Sequence, residues 1–273
     1  MAQIGMDVIA SAGAALLRSG QWEAARDLLT AGTPADASER LALAMAEAEV
    51  AVDQDFAQGT DTAPAKLDVL AGLVETTEAQ WDLEMLRLRY AYLSALFRPA
   101  QPETTRAAAT AGADVPAGAD LLAERAAGLR ETAPDDRRAG SVAFYSGLIE
   151  DNLRSDSPKA FPFFSEALTL ADKCGDGLLA ALALRHLGDH AHTAGDLQLA
   201  RAQWERSTEL RQTAGHVLGV LAQQMLLAQL MRDEGDPGAA RGLALEVRRW
   251  AGSLEIGWIA GEADSLLASV PPH

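Results

Sequence analysis

From Leu182 to Ala194 the apolar residues Leu182, Leu184, Leu187, Ala191 and Ala194 recur mostly at three- and four-residue steps, with Arg185, Asp189 and His192 between them. That is the stripe of an amphipathic helix. The stripe ends at Gly195-Asp196. A glycine suits the residue just past a helix C-terminus, and an aspartate can accept from the free N–H groups of the helix that follows. Ala200, Trp204 and Leu210 then mark the inner face of a second helix. The same order returns with Gly235-Asp236-Pro237 and the helix carrying Ala240, Leu243 and Val247; proline is tolerated at a first helical position because its missing N–H would have had no partner there. Gly195 and Gly235, Asp196 and Asp236, Ala200 and Ala240, and Arg201 and Arg241 are each separated by 40 residues. Self-similarity at a fixed period of this size marks an array of stacked helix-turn-helix units.

The unit extends back through the chain. A first helix over residues 4–18 ends at Ser19-Gly20, and Gly20 stands five residues before Ala25 as Gly195 does before Ala200. Thr33-Pro34-Ala35-Asp36 interrupts, and a long helix follows from about Asp36 to Phe56. Ala65-Lys66 falls 40 residues after Ala25-Arg26, with Val69 matching Leu29, which predicts a second helix over 64–76. Another first helix is expected over 78–97, with Trp81 and Tyr90 in core or groove. An irregular insertion follows at about 98–118, containing a short helix at 103–111. Asp120 lies 40 residues before Ala160, so a helix over 118–131 completes that repeat. Pro134-Asp135-Asp136 opens the next first helix, which ends near Leu153, and its partner begins at Ser157-Pro158. The best-formed repeats are 139–175, 177–214 and 217–252, and residues 253–270 form a terminal cap, since a stacked array needs an atypical unit to cover its last apolar face.

Leu187-Gly188, Gly195, Ala200 and Trp204 together resemble the tetratricopeptide repeat family. Its units place a Leu-Gly pair in the first helix, a Gly at the turn, and Ala then an aromatic in the second helix. The copy at 221–250 has Leu227-Ala228, Gly235 and Ala240, with Ala244 in the aromatic position. An earlier copy has Ser146-Gly147, Ala160, Phe164 and Ala167. The family's unit is about 34 residues. Six further residues here are ~9 Å of helix, shared between two helices. The longer unit is similar to the bacterial repeats of LuxR-type and antibiotic-regulatory transcriptional activators, whose DNA-binding parts have no counterpart in this sequence. Two-helix HEAT-type repeats of about 40–47 residues are a structural alternative. The resemblance implies an all-α fold: a right-handed α-solenoid of stacked helix-turn-helix repeats with a C-terminal capping helix, continuous over 1–273 as one domain.

Composition narrows the function classes. The 273 residues are 48% hydrophobic but only 5% aromatic, so Ala and Leu do most of the packing, and few strands are expected. Thirty-nine acidic against 23 basic residues give a formal charge of −16, which repels a phosphate backbone and argues against direct nucleic-acid binding. The single cysteine, Cys174, excludes an intramolecular disulfide. The start of the chain has no basic region and no apolar run approaches 18 residues, so a soluble cytoplasmic protein without membrane contact is expected.

Candidate chemistry is sparse. His186 and His190 are four apart, a spacing able to chelate zinc, but His192 lies about 200° further round the helix at 100° per residue, so no metal site and no cofactor is expected. Glu47, Glu49, Asp53 and Asp55 read as a solvated acidic face, and Asp135-Asp136 as a helix start. No phosphate-cradling loop or nucleophile elbow is present. In the resembled family the first helices line the inner groove. Carrying those positions over gives Phe144, Asp151 and Asn152; Arg185, Asp189 and His192; and Met225, Gln229 and Arg232. The expected function is therefore a non-enzymatic scaffold or regulatory module that binds a protein or peptide, with homo-oligomerisation left open. The alternative is a helical-repeat enzyme or small-molecule receptor whose pocket is enclosed by the superhelix.

Overall fold

The computed structural model describes residues 4–97 and 117–270. The expected insertion lies outside them but for Ala117 and Gly118, which begin a helix. The described residues form thirteen α-helices and no strand: α1 (Met6–Arg18), α2 (Trp22–Thr30), α3 (Ala37–Gln58), α4 (Ala63–Ala71), α5 (Thr77–Phe97), α6 (Ala117–Glu131), α7 (Asp136–Leu148), α8 (Ser157–Cys174), α9 (Gly177–Thr193), α10 (Leu197–Thr213), α11 (Val217–Asp233), α12 (Pro237–Ser253) and α13 (Gly257–Ser269). Neighbouring helices pack against each other, α3 through α7 in one run and α9 through α13 in another. None of the described helices is long and apolar enough to cross a membrane.

The helices fall into two compact units, residues 34–170 and residues 1–33 with 171–273. In the second of these, α9 to α12 are each 17 residues long and start 20 residues apart. The 40-residue repeat is thus two equal halves, a finer period than the sequence comparison of Gly195 with Gly235 brings out. The cause is the turn. Gly175, Gly195, Gly215 and Gly235 all have φ between 68° and 89°, the left-handed region that costs a residue with a Cβ about 1–2 kcal/mol. After each, the next N–H bonds back to a carbonyl five residues earlier, as from Asp196 to Ala191 and from Asp236 to Met231, both at 2.9 Å. That closes the last orphan carbonyls of the preceding helix. The aspartate then caps the next helix: Asp176, Asp196 and Asp236 accept from the N–H of Leu179, Leu199 and Ala239 at 3.0, 3.0 and 2.9 Å. Two further members of the series carry a side chain in the left-handed region, Ser155 at φ 54° and Glu255 at φ 56°.

In three hairpins a glycine on the first helix stands against a large side chain on the second. Ala160, Ala200 and Ala240 are all fully buried, as the repeat predicts. A Cβ on Gly147 would lie 2.6 Å from Cε1 of Phe164, and one on Gly188 would be inside van der Waals contact of the Trp204 indole. Gly13 stands likewise to Leu29, where a Cβ would come within 3.0 Å of Cδ2. In the hairpin of α11 and α12 the pair is Ala228 and Ala244, both fully buried. Where the first helix gains a methyl, the second helix gives up its large side chain, so the four hairpins keep comparable contact by different residues.

In the unit of residues 34–170 the predicted register needs correction. The second helix there runs over 63–71, not 64–76, and its buried stripe is Ala63, Leu67 and Leu70, whereas Val69 is 56% exposed. The count of 40 from Ala25 is off by two, because the α3–α4 loop sets the helix start locally: Asp55 accepts from the N–H groups of Thr62 and Ala63 and from the hydroxyls of Thr60 and Thr62. Asp120 is likewise exposed, with Ala119 buried beside it. The helix expected to reach Leu153 unwinds into a π-helical turn over Ile149–Leu153. Trp81 is core, its indole N–H donating to the carbonyl of Leu129 at 3.0 Å.

Candidate functional site

The first helices α9, α11 and α13 bury one face against α10 and α12 and leave the other partly open. On α9, Arg185 Nη1 lies 3.0 Å from Asp189 Oδ2, the four-residue spacing placing both on one face. His186 is buried, and its Nδ1 is 3.6 Å from the same carboxylate oxygen. Burial holds its pKa well below the ordinary imidazole value, and the nearby charges of Arg185, Arg211 and His190 push the same way. The ring is neutral at pH 7. His192 crosses to α11, its Nε2 standing 2.9 Å from Asp233 Oδ2, and Arg232 Nε donates to Asp233 Oδ1 at 2.9 Å. Partial burial raises the Asp233 pKa, but those two partners outweigh it and hold the carboxyl below its usual value.

Across this face, Glu262 on α13 is solvent-exposed, yet its carboxyl is raised by the crowding of surrounding atoms and opposed by the charge of Arg185 two first helices away. The His192–Asp233 contact ties α9 to α11, and α11 packs in turn on α13. Arg185, Asp189, His192 and Gln229 are half-buried there and Arg232 is exposed. Met225, by contrast, is a core residue at 1% exposure. Sequence spacing brought out Arg185, Asp189 and His192, but not their acidic counterparts Asp233 and Glu262, which a search for the acids one and two repeats downstream would have found.

The remaining three residues carried over from the family lie in the unit of residues 34–170. Phe144 is buried, its ring 5.6 Å from Tyr145 and 6.0 Å from Phe164. Asp151 and Asn152 sit on the π-helical turn. Asp151 accepts from the Ser157 hydroxyl at 2.6 Å, and Asn152 Nδ2 donates to the Tyr92 hydroxyl at 2.7 Å. Tyr92 in turn meets Tyr145 edge to face at 5.7 Å. The acidic run on α3 is not a bare solvated face: Glu47 pairs with Lys66 at 2.8 Å, Asp53 with Arg89, and Asp55 fastens the following loop. Glu49 is exposed but crowded, which raises its carboxyl pKa against the opposing charges of Arg89 and Arg137.

No protein-family model and no curated protein matches this chain. Among the described residues, no group of three or more His, Cys, Asp or Glu side chains is placed to hold a metal ion. His186 and His190 share a helix face, but His186 is enclosed by Arg185 and Asp189. Between α12 and α13 there is an open depression lined by Leu245, Arg248, Ser253, Ala260 and Asp264, in which Arg248 pairs with Asp264. It is an open surface feature in which the two charged side chains satisfy each other.

Proposed function

We propose that the protein is a non-catalytic helical-repeat scaffold of the tetratricopeptide type, a regulatory module that holds a segment of another protein along the concave side of α9, α11 and α13. The reading is supported by the polar pairs on the open faces of these helices, Arg185 with Asp189 on α9 and His192 of α9 with Asp233 of α11. These faces carry both signs of charge, Arg185 and Arg232 with Asp189, Asp233 and Glu262, beside the imidazole of His192. Such a strip suits an extended segment of mixed charge, with hydrogen bonds and register supplied by pairs already in place. Arg185 and Arg232 are each already held by an aspartate, so the partner inserts into existing ion pairs instead of meeting bare charges.

A pull-down from native cytosol followed by mass spectrometry identifies the partner, and an Arg185→Ala plus Arg232→Ala variant tests the site. Exposed ion pairs contribute about 0–1 kcal/mol to folding, whereas truncating a desolvated charge in an interface costs about 2–5 kcal/mol of binding. The variant is expected to keep its helical circular-dichroism spectrum and its melting temperature while losing the partner. Unchanged affinity would move the site off this face.

A further inference from the structure

The seam between α10 and α11 is built from other residues than the seam between α12 and α13. In the latter, Val247, Ala251, Ile259 and Ala263 lie in one buried apolar cluster with Leu266 and Val270. Forty residues earlier in the chain, the same four places hold Ser207, Arg211, Gly219 and Gln223. Another 40 residues back they hold Ala167, Ala171, Leu179 and Ala183, all buried and apolar. The polar set is buried too, Ser207 and Gln223 completely and Arg211 to 4% exposure. The changes depend on one another. A Cβ on Gly219 would collide with the Arg211 guanidinium and the His216 ring, so a leucine or isoleucine, as at 179 and 259, has no room while the guanidinium is enclosed.

The enclosed polar atoms outnumber their partners. Ser207 has one hydroxyl hydrogen and two acceptors in reach, the Ala181 carbonyl at 2.7 Å and Gln223 Oε1 at 3.2 Å, so serving one leaves the other. Gln223 Nε2 is buried and makes no hydrogen bond. Arg211 Nε donates to the Ser207 hydroxyl at 3.3 Å, and its Nη1 stands 3.2 Å from His216 Nδ1; neither partner is a carboxylate. A cation out of water without a counter-ion and an amide without an acceptor both weigh against the closed arrangement. Toward the turns at Gly195 and Gly235 the same seam is well held. There Trp204 packs with Leu227 and Leu230, Arg201 of α10 pairs with Glu234, and His192 of α9 with Asp233 of α11.

We propose that the α10–α11 seam is a conformational joint: its end beside the turn at Gly215 opens and admits water to Arg211 and Gln223, while the end around Trp204 stays shut. Opening solvates the guanidinium and gives the Gln223 amide a partner, which returns part of what the lost packing costs. The matching movement at α12–α13 exposes apolar surface alone and is opposed throughout. Gly215, already left-handed at φ 68°, and Gly219 lie within the moving stretch, where a backbone without Cβ atoms adapts most readily. α9, packed on α10, and α11 lie on either side of the joint. A ligand with different affinity for the two settings shifts the balance between them. The joint does not rest on the groove proposed above, and its test needs no partner.

Hydrogen–deuterium exchange of the full chain, read by mass spectrometry, compares residues 207–224 with residues 247–264, which occupy the same places 40 residues later. After correction for intrinsic rates, the wild-type amides of 207–224 should exchange at least tenfold faster than their counterparts. Arg211→Met and Gln223→Met keep roughly the length of each side chain and remove the polar atoms. Each should slow exchange in 207–224 at least threefold and leave 247–264 unchanged. Equal protection of the two stretches in the wild type overturns the joint, and that outcome does not depend on either variant folding. Faster exchange of 207–224 in the variants, or their failure to fold, shows that the polar groups hold the seam shut and overturns it as well.

Discussion

The pairing of Gly188 with Trp204 gives a test of the packing that holds each hairpin together. Gly188→Ala adds one methyl group inside contact distance of the Trp204 indole, whose N–H is fixed at 2.9 Å from the carbonyl of Arg185 and whose ring is almost fully buried. Two effects oppose. Replacing glycine inside a helix by alanine stabilises by about 0.5–1 kcal/mol, while overpacking a full core costs about 1–3 kcal/mol. Overpacking wins, and the single variant should lose about 1–2 kcal/mol. Trp204→Ala alone should lose about 3–5 kcal/mol through burial and cavity. With the indole gone, Gly188→Ala should change sign and stabilise by about 0.5–1 kcal/mol, since the pair then copies Ala228 and Ala244, which the chain already packs forty residues later. The coupling between the two sites is therefore about 1–3 kcal/mol, measured by urea denaturation followed at 222 nm as a double-mutant cycle. Independent sites add to within about 0.5 kcal/mol. If Gly188→Ala costs the same in both backgrounds, the indole is not what excludes a side chain at 188.

Ala200→Leu and Ala240→Leu should each overpack a helix contact and lower stability by about 1–3 kcal/mol, since both alanines are fully buried; a wild-type urea midpoint in both would mean that the repeat register is misread. Glu255→Gly should raise the thermal midpoint. It relieves a left-handed backbone costing about 1–2 kcal/mol against a glycine penalty of about 0.5–1 kcal/mol, and a lower midpoint would show that the Glu255 side chain contributes more than its strain. For pH, the His186 pKa is lowered by burial first and then by Arg185, Arg211 and His190, so the unfolded chain binds the proton more readily than the folded one. Its contribution is complete above pH ~6.5 and is lost as pH falls below that, by up to about 1.4 kcal/mol per pH unit. Glu49 and Glu262, whose carboxyls are raised, act in the opposite direction at lower pH. The readout is thus the difference between wild type and His186→Gln, and equal slopes between pH 6.5 and 5 would show that His186 is not held neutral.

What the sequence determined by itself is local or periodic. Gly195-Asp196 and Gly235-Asp236 define their turns because only a residue free of Cβ strain adopts the left-handed conformation readily and only a short acceptor reaches the N–H three residues on. Ala200 and Ala240 are buried because a recurring small residue in a recurring helix has no other reason to recur. The half-period of 20 was also present, in Gly175-Asp176 and Gly215-His216, but the second pair hides it by replacing the aspartate. Tertiary structure decided the rest, where residues far apart in sequence compete for one place. The α4 register follows from the clasp of Asp55 on Thr62 and Ala63 and not from a count of 40. Phe144 and Met225, carried over as groove positions, are core because a helix presents different residues to its neighbours once its rotation is fixed by packing. The partners of Arg185 and Arg232 were legible as charges and not as pairs. That Arg211 is enclosed beside Gly219 and His216 follows only from the packing of α10 against α11, because burial is a property of neighbours that the residue's own sequence does not contain.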